Sequence, residues 1–191
     1  MKKKLLYIAA IIICLSIITG GTFAYFTVDD TAHNVITTNT VKIDVLCHSE
    51  ENGVISVANN DSIRLMPATK VSRVVAAQSI ETAAWVRLKY EFEIYDSNEN
   101  QMDISEEELK KVIIIKPDET NWILKDGWWH YNAMVKDGEK TTPLFETIEF
   151  SGPGMGNEYQ NGKVKLIIHG QAVQYANNGE TVMEAAGWPE E

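Results

Sequence analysis

The chain is 191 residues long and acidic, with 27 Asp and Glu against 17 Lys and Arg and a net charge of −10. That balance excludes a nucleic-acid binder, which needs Lys and Arg gathered against phosphate. It also disfavours docking on anionic lipid, and it suits a protein kept soluble by like charge.

Lys2, Lys3 and Lys4 form a basic start, and Leu5 to Ile18 form an apolar run. Gly20 and Gly21 break any helix there, and Thr22-Phe23-Ala24 sets small residues at the −3 and −1 positions of a signal-peptidase site. Cleavage after Ala24 makes Tyr25 the new N-terminus. As a membrane anchor the apolar run would span about 21 Å, short of a hydrocarbon core of about 30 Å. Extending it draws in two glycines and two threonines. Residues 1–24 therefore read as a signal peptide and residues 25–191 as one secreted domain, in contact with membrane only before cleavage. Cys14 lies between Ile13 and Leu15, without the small residue that a lipid-attachment box places before its cysteine. Beyond the leader Cys47 is the only cysteine, so no internal disulfide is expected.

The rest of the chain alternates like β-sheet. Tyr25 to Val28 is aromatic and β-prone, Asp29-Asp30 interrupts it, and His33 to Thr38 leads into a strand over Thr40–Cys47. In that strand Cys47 shares parity with Val41, Ile43 and Val45, which places it on the core face; an exposed thiol would instead serve a disulfide between subunits. Asn52-Gly53 signals a hairpin, followed by strands at Val54–Ala58, Ile63–Met66 and Val71–Ala76. Thr82 to Tyr95 carries the clearest period of two. Ala84, Val86, Leu88, Tyr90, Phe92 and Ile94 fall on a buried face, with Trp85, Arg87, Lys89, Glu91, Glu93 and Tyr95 on a wet one. Ser105-Glu106-Glu107-Glu108 is a capping box that starts a short helix through Lys111. Asp126-Gly127 is a type I′ turn between Asn121–Lys125 and Trp128–Tyr131. Phe145–Phe150 and Lys163–Ala176 supply further strands, and Thr181–Ala186 one helical turn.

The chain shows no standard catalytic or metal signature. His33, His48, His130 and His169 form no His-Glu-x-x-His site, no serine sits in a nucleophile elbow, and the glycines of Gly152–Gly156 lack a phosphate-cradling context. No EF-hand loop appears, and the Glu106–Glu108 run reads as a solvated helix face. Trp122, Trp128 and Trp129 around one turn suit cross-strand aromatic pairing more simply than a sugar-stacking platform. The expectation is a non-enzyme with no cofactor and no metal. The fold expected is all-β, a jelly-roll-like antiparallel β-sandwich with one or two short helices; the many short strands set off by Asn-Gly, Asp-Gly and Pro turns support the sandwich.

Several stretches carry a resemblance. Gly21-Thr22-Phe23-Ala24-Tyr25-Phe26-Thr27 followed by Asn39-Thr40-Val41-Lys42-Ile43-Asp44 resembles the start of the TasA/camelysin family. Trp128-Trp129-His130-Tyr131-Asn132, Gly138 to Phe145, Ala172-Val173-Gln174 and the closing Glu184 to Pro189 resemble its BsaA-like branch most. The resemblance implies the jelly-roll topology and processing by an alternative, SipW-type signal peptidase. It also implies release from a Gram-positive bacterium to the extracellular matrix or cell surface, as a fibre-forming biofilm matrix protein. The partners implied are other copies of the chain in a homopolymer, the signal peptidase during export, and other matrix components. A spore-coat or surface-associated protein, or a camelysin-like metallopeptidase, is the alternative. Cleavage between Ala24 and Tyr25 would free a segment reaching to Thr38, about 46 Å long when extended. That segment is the candidate assembly strand, donated to a neighbour's open sheet edge with Tyr25, Phe26, Val28, Val35 and Ile36 as its residues, or else paired in its own sheet.

Overall fold

The computed structural model describes residues 34–36, 41–51, 54–57 and 62–189. Two sheets pack face to face. The first runs β1 (Asn34–Ile36), β11 (Lys163–Gln174), β6 (Ala84–Tyr95), β9 (Trp128–Tyr131) and β8 (Trp122–Lys125), with β4 (Ile63–Arg64) also on β11. The second runs β3 (Val54–Val57), β2 (Lys42–Glu51), β5 (Lys70–Ile80), β10 (Phe145–Phe150) and β7 (Ile113–Ile115). This is the expected all-β sandwich. One pair departs from the antiparallel rule: β1 runs parallel to β11.

Two long antiparallel pairs form the frame. β6 and β11 stay in register from Ala84–Gln174 to Tyr95–Lys163, and β2 and β5 from Lys42–Ile80 to His48–Val74. Strict alternation puts Val41, Ile43 and Val45 against Val86, Leu88 and Ala172 in one buried cluster, so each apolar side chain leaves water on the same side. At Gly170 the β2 side chains press directly on the β11 backbone. A Cβ there would collide with the Val45 side chain, so only glycine permits the approach.

Local signals behave as chemistry requires. Ser105 caps α1 (Glu106–Val112), its hydroxyl accepting the Glu108 N–H at 3.3 Å, with acids in the first turn and lysines in the last. Asp126 and Gly127 both take positive φ, as a type I′ hairpin turn demands. A 3₁₀ turn at Asn157–Tyr159 buries Tyr159, whose hydroxyl donates to Glu108 Oε1 at 2.8 Å and ties that turn to α1. Burial and the Glu108 carboxylate together push the Tyr159 phenol above its ordinary range.

Three expectations need correction. The outer face of β6 is not uniformly wet, because Trp85 is only 4 % exposed and packs with Val173 and Val182. The covering residues come from the C-terminal segment, which sequence alternation along β6 cannot reveal. Thr181–Ala186 is not a helical turn of its own. It is a tight turn closed by the Glu184 N–H on the Thr181 carbonyl, then fastened where Asn178 exchanges two hydrogen bonds with the Ala186 backbone. Cys47 faces the core side but is only half-buried, at the rim of the cluster; burial raises its thiol pKa and Arg73 offsets part of that.

Candidate functional site

The candidate assembly strand divides across the boundary of the described residues. Ala24, Tyr25, Phe26 and Val28 lie outside them, as does the Asn52-Gly53 turn. Val35 and Ile36 form β1 with Asn34, opposite Gly170 and Gln171 of β11 of the same chain. Three register pairs hold β1, and they are parallel, a pairing slightly weaker per residue than the antiparallel ladders around it. β4 holds Lys163 and Val164 at the other end of the same β11 edge. Among the described residues no strand lies beside Lys165 to Ile168 on that side. An edge so sparsely covered offers unspent backbone donors and acceptors to an incoming strand.

Packing is looser midway along the two long strands: Tyr90, Phe92, Leu166 and Ile168 are only half-buried, whereas Ile94 and Val164 at one end and Val86, Leu88 and Ala172 at the other are sealed. On its other edge β6 pairs with β9 only at Arg87 and Leu88, and next meets Gln101 at Tyr95. Between these points opens a cavity of about 440 Å³, lined by Phe92, Ile94, Met102, Ile104 and Leu109 together with the polar Glu93, Gln101 and Asp103.

The aromatic hairpin is a different structure from a sugar platform. Trp122, Trp128 and Trp129 are 1 %, 5 % and 8 % exposed, and Trp122 donates its indole N–H to the Thr142 carbonyl. Three residues around it escaped the sequence reading. Arg87 lies between the rings of Trp128 and Trp188, 4.5 and 4.6 Å from their centroids, and donates to Gln171 Oε1. His130 is buried edge-on to Trp188 at 5.5 Å. The available signal was an aromatic, Trp85, on an otherwise charged face.

His48, His130 and His169 lie on β2, β9 and β11, and no group of three His, Cys, Asp or Glu side chains suited to a metal occurs among the described residues. His169 sits in a ladder of charges instead, 3.8 Å from Glu91, beside the Lys89–Glu91 and Lys165–Glu93 pairs.

Fold and edge together define an all-β sandwich with its N-terminal strand on a sheet margin. A family model described as camelysin metallo-endopeptidase matches residues 1–73, a stretch that takes in β1 to β4 and the start of β5. Over that stretch the chain is similar to the camelysin family. No curated protein and no solved structure matches it.

Proposed function

We propose that the chain is an exported structural subunit, BsaA-like, that self-assembles into extracellular biofilm matrix fibres by lending its N-terminal strand to the neighbouring subunit. The observation that carries this reading is β1, a three-residue parallel strand on a β11 edge that, among the described residues, only β4 also covers. A strand held so lightly exchanges at low cost, because the same β11 edge in a neighbour offers the same hydrogen bonds. Export through signal cleavage between Ala24 and Tyr25 frees the segment to do so, with Phe26, Val28, Val35 and Ile36 as its anchors along the neighbour's β11 edge. The family match over residues 1–73 supports the assignment, since it includes the leader and the donated segment.

The test is the particle size of the protein starting at Tyr25, read by light scattering and electron microscopy, beside a variant lacking residues 25–38. Filaments in the first and a folded monomer in the second are expected. Filaments persisting unchanged in the deletion would remove strand donation from the account.

The family description favours a second reading, a metallo-endopeptidase. Incubating the protein with casein and zinc, with and without a chelator, separates the two. The fibre reading expects no cleavage, and chelator-sensitive cleavage would replace it.

A further inference from the structure

The outer face of the first sheet carries a device that strand exchange does not use. The segment from Asn178 to Pro189 folds back over β6, β9 and β11 and covers Trp85, Val173 and Trp128. It is held by side chains rather than by a β-ladder. The Trp85 indole donates to the Asn178 carbonyl at 2.9 Å, Asn178 pairs with Ala186, and Arg87 reaches the Pro189 carbonyl at 3.4 Å. Trp188 closes the cover, stacked on the Arg87 guanidinium and meeting the His130 ring at right angles. Beneath it His130 is 5 % exposed, and its Nδ1 has no hydrogen-bond partner.

We propose that the C-terminal segment is an acid-released latch: protonation of His130 lifts Trp188 and uncovers the apolar patch around Trp85 and Val173 on the outer face of the first sheet.

The charges around His130 set the direction. Arg87 stands opposite it on β6, with Lys89 further along that strand over the Trp128 ring. Lys125 approaches from β8, and Asp126 in the adjoining turn is the acid that faces it. The latch's own Glu184 carboxylate accepts the Glu180 N–H. A second cation beside Arg87 therefore meets more positive than negative charge in a site closed to water, where an unpaired charge is costly. Burial first, then Arg87 and Lys125, hold the His130 pKa at about 4, against an ordinary 6.5. Opened to solvent, the ring returns towards its ordinary value. The open form then takes up the proton first as pH falls, so closure is fully favoured above pH 6.5 and weakens progressively towards pH 4. β6, β8 and β9 are tied by ladders and the latch is not, so the latch is the part that yields.

Hydrogen exchange of the full chain between pH 7.5 and pH 4, corrected for the intrinsic pH dependence of exchange, tests this. Segment 178–189 is expected to exchange roughly 100-fold faster at pH 4 while β6 and β11 stay protected. His130→Phe, and His130→Gln as a second neutral replacement, should keep the segment protected at pH 4. Trp188→Ala should open it already at pH 7.5. A segment still protected at pH 4, equal acid opening in both neutral variants, or loss of the segment and the sheets together would each overturn the latch. None of these readouts depends on whether the chain forms fibres.

Discussion

Gly170 sits where β2 side chains press on β11, and its missing side chain is filled by Val45, Ile43 and Leu88. Gly170→Val is expected to lower stability by about 1–3 kcal/mol, the range for forcing methyl groups into a packed core. The midpoint of urea unfolding checks it. Alternation along the strands revealed which face Val45 and Leu88 occupy, because a period of two is a property of the backbone. It did not reveal depth. Cys47 has the same parity as Val45, yet one lies at the rim of the cluster and the other in its sealed centre. Arg87 was read as a solvent-facing charge for the same reason. Its partners Trp128 and Trp188 come from distant stretches, and stacking on aromatic faces suits guanidinium as well as water does.

Elements defined by nearby residues were the legible ones. The capping box of α1 and the Asp126-Gly127 turn are each set within four residues, and both appear where the sequence placed them. Ser105→Ala is expected to cost about 1 kcal/mol through the lost cap, with the thermal midpoint falling while the sheets keep their circular dichroism. Elements completed from afar were misjudged. β5 runs on from Ala76 to Ile80 because Thr141 Oγ1 accepts the Ala77 N–H, Gly138 donates to the Ser79 carbonyl, and the Ser79 hydroxyl finds the Thr82 carbonyl. Most of those partners lie about sixty residues away in sequence, so a reading of local propensity stops the strand where its apolar residues end. The C-terminal latch is the extreme case. Its turn is fastened by Asn178 to Ala186, and its place in the molecule by Trp85 and Arg87.

At the scale of the molecule, the buried cluster among the described residues draws on β2, β5, β6, β10 and β11. The variant lacking residues 25–38 keeps all of these strands and is expected to fold as a monomer. Sheet margins accompany this core, among them the β11 edge beside β1 and the outer edge of β8, where Ile123 and Leu124 are exposed. Charge guards against indiscriminate pairing at such margins, and the net −10 of the chain provides it.

The pairing of β1 with β11 also fixes an order of events. β1 is among the first parts of the chain to be synthesised, and β11 is among the last. Contacts that span nearly the whole sequence close late, since the loop between them must be organised first. β1 must therefore wait for its own partner. If strands exchange between molecules as proposed, the contest between self-pairing and exchange is set by local concentration as well as by affinity.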